Sequence, residues 1–453
     1  MVVAVLAGLA LAASAWAVVR PGTLGAPAGT IAPGENTTAL AALRDGRILL
    51  AGQSRYGPAA DTFVRAYLPG GGVDQTFGNA GEARFAGDHR EVVAMAVQPD
   101  GKILVGENGA PARLHRLLPA GIADGSFGSA GRVEVDLSDS GTALSDVAAM
   151  RDGRIVTVSG AAGTTGPQHV DLRRFLADGS PDPSFGSGGR TVMTLPGLAL
   201  RPAPAVQPDG SVVFVVEDGD SRVLVARLSP SGAPDPAFGA GGLSPVELPR
   251  PGLRPDVRPA LGFGWDLVVL RDGRLRIPVT VGPREHVSRI GIVGLTVDGH
   301  PDPRFGARGL ALGPRRHVRE GGEFPQAAVR DARGSILVAG TSASGDDLSG
   351  DDAVIVRRFR RDGTLDRSFG RRGLVSDRLH GGGQPYELQL AMLDATPPCS
   401  PRRTRSRSTR PTTAASSGRW TTATTSLHRR WSSRPAAATP RSGSPISRPS
   451  RRW

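Results

Sequence analysis

Gly179-Ser180-Pro181-Asp182-Pro183-Ser184-Phe185-Gly186-Ser187-Gly188-Gly189 is the stretch that decides how this chain is read. Its fixed positions are Gly-x-x-Asp-x-x-Phe-Gly-x-x-Gly. The same spacing returns at Gly71/Asp74/Phe77/Gly78/Gly81 and at Gly121/Asp124/Phe127/Gly128/Gly131. It returns again at Gly232/Asp235/Phe238/Gly239/Gly242, at Gly299/Asp302/Phe305/Gly306/Gly309 and at Gly363/Asp366/Phe369/Gly370/Gly373. Successive aspartates are 50 to 67 residues apart. A period of that size held over six copies marks a repeat architecture.

Each fixed residue has a physical task. The glycines let the chain turn sharply twice within a short run. The aspartate suits acceptance of backbone N–H bonds inside such a turn. The phenylalanine is the one large apolar residue of the motif, and six of the 13 Phe of the chain stand there. Such a ring is expected to plug into the core and anchor the turn.

Working outward, the third copy shows the whole unit. Ala143 to Met150 reads as a strand, Arg151-Asp152-Gly153-Arg154 as a hairpin turn, and Ile155-Val156-Thr157-Val158 as a second strand. Asp-Gly between apolar runs is a strong hairpin signal. It recurs at Asp45-Gly46, Asp100-Gly101, Asp209-Gly210 and Asp272-Gly273, with Ala332-Arg333-Gly334 read as a variant carrying an extra residue. A loop of variable length leads to a third strand, Val170 to Leu176, and a fourth, Arg190-Thr191-Val192-Met193, follows the glycine-rich turn. Near the end of the third strand stand Arg116, Arg174, Arg227 and Arg358, replaced by Ala66 and Gly294 in two copies. Pairing of these arginines with a nearby turn aspartate is expected.

Four short antiparallel strands per unit, with no helix between, predict the blade of an all-β β-propeller. A solenoid of the same unit is the alternative architecture. Gly (62) and Pro (38) are frequent enough to favour many short strands over long helices. Six complete four-stranded blades are expected, with a partial seventh beginning at Tyr386. The degenerate copy Gly22 to Ala32, followed by Thr30-Ile31 within it, is expected to supply the outer strand of that seventh blade, leaving its middle strands missing. The predicted divisions are 1–17, a signal-peptide-like segment; 18–36, the possible closing segment; 37–395, the propeller; and 396–453, a disordered tail.

Residues Met1 to Ala17 are apolar and end in small residues, which fits a secretory signal, although no Lys or Arg precedes the run. An uncleaved anchor is the alternative. The single cysteine, Cys399, excludes an internal disulfide framework. The net charge of +13 is local: residues 396–453 hold thirteen Arg, no Lys and no acidic residue, so the remainder is balanced. A balanced body gives no nucleic-acid footprint. The tail reads either as a basic arm or as the product of a shifted reading frame in a GC-rich gene.

The repeats resemble the bacterial delta-60 repeat proteins. The resemblance is carried by Asp100-Gly101-Lys102-Ile103-Leu104-Val105-Gly106 and by Asp178-Gly179 through Gly189, and it covers about Thr37 to Leu393. It implies an exported or surface-associated propeller and transfers no catalytic residue.

No catalytic, cofactor-binding or metal-ligating residue is assigned, and no cofactor. His89, His115, His169, His286, His300, His317 and His380 fall at unrelated repeat positions and read as isolated surface or loop residues. The acidic stretch Ser344 to Asp352 suits a hard cation but lacks a calcium-loop register and reads as a solvated loop; Glu217-Asp218-Gly219-Asp220 is weaker. Loops between second and third strands, such as Glu107–Ala112, gather on one face and share no residue type. The reading is therefore a secreted or cell-surface, monomeric, non-catalytic module that binds a protein or small ligand. The alternatives are a lyase or lactone hydrolase with metal-held carboxylates at the central channel, and a carbohydrate-binding propeller.

Overall fold

The computed structural model describes residues 2–8, 15–20, 23–24, 36–53, 61–69, 71–85, 90–137, 142–161, 168–195, 202–217, 222–247, 258–260, 266–282, 288–314, 321–344, 353–378 and 387–393. The chain divides into two units, Met1–Pro398 and Cys399–Trp453. The second unit, and with it the expected tail disorder, lies outside the described residues.

Among the described residues the structure is all-β, in seven antiparallel sheets. The first blade is built from Asn36–Ala42, Ile48–Gln53, Thr62–Tyr67 and Glu82–Phe85 in spatial order of sequence. The second (Glu91–Val97 to Arg132–Val135), third (Thr142–Ala149 to Arg190–Leu195), fourth (Ala205–Val206 to Leu243–Pro245) and sixth (Gly321–Arg330 to Leu374–Arg378) repeat that order. In the fifth, Arg258–Ala260 and Val268–Val269 both pair with Leu275–Gly282, so its first strand is split in two. First strands of consecutive sheets lie against one another all the way round, and Glu387–Leu393 sits between those of the sixth and first blades. That closes a propeller and excludes the solenoid.

The seventh sheet corrects one expectation. Its order is Glu387–Leu393, Val2–Gly8, Ala15–Arg20, Thr23–Leu24, with Val2 opposite Leu393 and Gly8 opposite Glu387. The middle strands are therefore present and come from the N-terminal apolar run. Val2-Val3-Ala4-Val5-Leu6 is a short apolar run, which periodicity alone does not separate from a leader or a buried strand. Thr30-Ile31 lies outside the described residues. Among the described residues no helix is long and apolar enough to cross a membrane.

The core sits between blades. Phe185 of the third blade packs in one cluster with Val212, Phe214 and Leu228 of the fourth, and Phe238 likewise joins Leu275, Ile277 and Leu295 of the fifth. All six motif rings are buried, five of them at 0% exposure and Phe369 at 3%. The glycines explain how the rings fit. Gly186 has φ +56°, and a Cβ there would lie 2.0 Å from the Arg190 carbonyl oxygen. Gly232, at φ +86°, opens the next motif, where a Cβ would meet the Gly186 nitrogen at 2.8 Å and the Phe185 ring at 2.9 Å. The backbone of one blade therefore presses on the ring of the previous one, and only glycine permits that approach.

Backbone bonds cross the same junction. The Gly186 amide donates to Ser231 O (2.7 Å), Gly128 to Asp178 O (2.7 Å) and Gly306 to Asp362 O (2.7 Å). The motif aspartate organises the turn from within. Asp182 accepts the Ser184 amide (3.0 Å) and hydroxyl (2.7 Å) at one oxygen, and Arg154 (3.2 Å) and Arg174 (2.7 Å) at the other. The expected pairing of the third-strand arginines is found, and it extends further: the Arg174 guanidinium stacks on Phe185 (4.6 Å) and donates to Pro230 O of the fourth blade. Where Gly294 replaces the arginine, Arg276 directly across the strand pair supplies it, bonding Asp302 at 2.8 Å and covering Phe305 at 4.1 Å.

One turn differs from expectation. Asp331 to Ser335 closes with the same pair of bonds as Leu43 to Arg47, so Ala332-Arg333-Gly334 carries no extra residue. The aspartate has simply moved two places earlier, where its Oδ1 accepts the amides of Arg333 (3.0 Å) and Ser335 (2.8 Å).

Gly232→Ala is expected to cost about 2 kcal/mol or more in urea unfolding, through strain at positive φ and overpacking of Phe185. Burial works against the Asp182 carboxylate, but Ser184, Arg154 and Arg174 outweigh it and bring its pKa to about 2. Ser368 foremost, with Arg358, brings Asp366 to about 2 as well. These folded values lie below the ordinary 3.8, so their stabilisation is complete above that pH and is lost as pH falls toward 2. Thermal unfolding midpoints followed from pH 5 to pH 2 should therefore fall steeply below about pH 4.

Candidate functional site

At the turn ends of the blades Arg116, Arg174 and Arg227 are committed to the junctions. At the opposite ends, where second strands pass to third strands, only the loop Glu107–Ala112 lies wholly within the described residues. There a histidine and a carboxylate meet in a buried setting. Glu107 stands near the end of Ile103–Asn108 and His115 within Ala112–Leu117. Glu107 is opposite Arg113 in the strand register, which places His115 diagonally across on the same face. The His115 Nε2 and Glu107 Oε2 are 2.9 Å apart.

The first blade completes the cluster. Thr62 and Phe85, paired in its outer strands, face the second blade. The Thr62 hydroxyl donates to Glu107 Oε1, and the Phe85 ring lies 4.2 Å from that of His115 at a tilt of 37°. Arg90, just before the second blade, donates to the carbonyl of Pro111 in the same loop. Burial pushes the Glu107 carboxyl up, but hydrogen bonds from His115 and Thr62 and the charges of His115 and Arg90 outweigh it, leaving the carboxyl below its ordinary value.

Chemically this is an acid–base pair held on one side by an aromatic ring. Glu107 is 1% exposed and His115 8%, so the pair is almost wholly shielded from solvent, and its contacts with Thr62 and Phe85 tie two blades together. His115 is thus not the isolated surface residue expected. The repeat motif gave no signal for it, because Glu107 lies opposite Arg113 and meets His115 only diagonally. His169 bonds Thr194 (3.2 Å) on the surface, and His300 is exposed, 3.9 Å from Asp298. His89, His286, His317, His380, the stretch 345–352 and residues 218–220 lie outside the described residues.

Two other buried carboxylates are also paired with arginines. Arg357 bonds Glu323 (2.9 Å from Nε), which accepts the Ile290 amide of the fifth blade at 3.4 Å. Asp171 holds both Arg173 (3.2 Å) and Arg190 (3.0 Å). Among the described residues no group of three or more His, Cys, Asp or Glu is placed to hold a metal ion.

His115→Ala removes the donor to a buried carboxylate and opens a gap beside Phe85. It should lower stability by about 2 kcal/mol in urea unfolding. Because the Glu107 pKa is depressed on folding, the wild-type excess should shrink as pH falls below the ordinary glutamate value of 4.5.

With this geometry in view, the chain is similar to a family described as a β-propeller domain of unknown function (DUF5122), over residues 151–185, 207–238 and 334–369. No curated protein matches it in sequence. Among solved structures it is similar to a protein of unknown function from Bacteroides caccae, with 15% identity, TM-score 0.37, and coverage of 69% of this chain and 99% of that one. A mutant of AofleA from Arthrobotrys oligospora shares 11% identity at TM-score 0.39, covering 80% and 90%. A polysaccharide lyase, described as an ulvan lyase, shares 13% identity at TM-score 0.42, covering 80% and 86%. The chain is a β-propeller repeat protein.

Proposed function

We propose that the chain is an exported, non-catalytic propeller of the delta-60 repeat type, a scaffold whose variable loops bind a protein or small ligand. One observation carries this reading: among the described residues, buried ionisable side chains are paired across and within the junctions, as in Arg174–Asp182 and Arg357–Glu323. Groups held this way stabilise a rigid frame and are not poised for proton transfer or metal binding. The variation sits in the loops between second and third strands, where a rigid frame positions recognition elements.

Export is inferred from the resemblance alone, since Val2–Gly8 and Ala15–Arg20 pair within the seventh sheet. The second reading, an enzyme of lyase or lactone-hydrolase type, has the 2.9 Å His115–Glu107 pair in its favour. The two readings part on a turnover assay. Purified full-length protein incubated with lactones and acidic polysaccharides, with and without Ca²⁺, Mn²⁺ or Zn²⁺, should show no rate above the blank. Turnover that disappears in His115→Ala would establish the enzyme. Fractionation of the producing cells should place the protein outside the cytoplasm, and cytoplasmic retention would overturn export.

A further inference from the structure

The junction between the first and second blades lacks a part that the next ones carry. In the second blade the Arg116 guanidinium donates to Asp124 Oδ2 (2.8 Å), to Ser126 Oγ (3.3 Å) and to the Ala177 carbonyl of the third blade. In the third, Arg174 does the same with Asp182 (2.7 Å), Ser184 (2.9 Å) and the Pro230 carbonyl of the fourth. The matching residues in the first junction are Asp74, Thr76 and the carbonyl-bearing Pro119 of the second blade. The residue that should bring the guanidinium is Ala66, which pairs with Leu49 as Arg116 pairs with Leu104. Arg65, next to it, turns the other way, over Phe63 (5.0 Å) and onto Glu82.

No compensating arginine from the neighbouring strand is seen here, unlike Arg276 in the fifth blade, because Leu49 occupies that place. A surface cleft of about 740 Å³ lies beside this place, and Asp74, Thr76 and Pro119 all line it, with Arg47 and Ala120. The structure assigns this cleft as a binding site for a guanidinium group supplied from outside the ring. The acceptors match a planar guanidinium fork and not a single ammonium point charge. Arg47, which bonds Asp74 at 3.1 Å, does not block it: Arg154 sits at 3.2 Å from Asp182 while Arg174 occupies the same carboxylate oxygen. Hydrogen bonds from Thr76 foremost keep the Asp74 carboxyl below its ordinary value, so it is an anion at neutral pH. This cleft lies at the turn ends of the blades, opposite the loops of the proposed recognition face, so each reading can fail without the other.

The test uses the full chain and N-acetyl-L-arginine methylamide, with the lysine analogue as control. The arginine amide should raise the thermal midpoint saturably and the lysine amide should not. Ala66→Arg, which builds the guanidinium in, should raise the midpoint by itself and abolish the response. Equal effects of the two amides, or an undiminished response in a folded Ala66→Arg protein, would overturn the site. Should that variant not fold, hydrogen exchange on the unsubstituted chain decides: the arginine amide should slow exchange at residues 73–77 and 119–121, and protection elsewhere or nowhere refutes the assignment. Tighter binding of a peptide with one internal arginine than of free arginine identifies a polypeptide as the source; the reverse order identifies a small guanidinium metabolite.

Discussion

A buried guanidinium caught between an aspartate, an aromatic face and the next blade's carbonyl fastens three junctions of this ring, at Arg116, Arg174 and Arg227. Arg174 meets Asp182, Phe185 and Pro230 at once, so the fold of one turn and the docking of the following blade are the same event. Burying a charge is costly unless its hydrogen bonds are met, and here the planar fork meets them from both blades. A blade alone leaves its sheet faces uncovered and the arginine's outer bond unmade. Stability is thereby a property of neighbours, as in other repeat proteins.

The exceptions show what is being held constant. Gly294 removes the usual arginine, and its Cβ would collide with Phe305 at 2.7 Å and Arg276 at 3.0 Å. The charge has moved one strand inward and the small residue makes room for it. In the fifth blade the guanidinium keeps its position although the arginine has left that point of the sequence. The first blade keeps the aspartate and the turn but has Ala66 where the guanidinium would be carried.

Much of the architecture was legible because the motif has fixed spacing and one ring per copy. The burial of Phe77, Phe127, Phe185, Phe238, Phe305 and Phe369 follows from their being the only large apolar residues in polar, glycine-rich turns. Partners across blades were not legible, because nothing in a sequence states that Gly232 rests on Phe185 or that Gln207 reaches the Gly273 carbonyl (2.6 Å). The closing strands were misread for a related reason. Val2–Gly8 is an apolar run, and its partner Glu387–Leu393 is almost the whole chain away. The site was hidden because Glu107 and His115 belong to no motif and meet only when two strands register diagonally.

The most direct measurement is native-state hydrogen exchange at the amides of Gly128, Gly186 and Gly306, each of which donates across a junction. If the junctions hold the ring together, these amides exchange only through global unfolding, with protection matching the full unfolding free energy. Exchange by local opening, at rates typical of surface turn amides while the strands stay protected, would contradict the account.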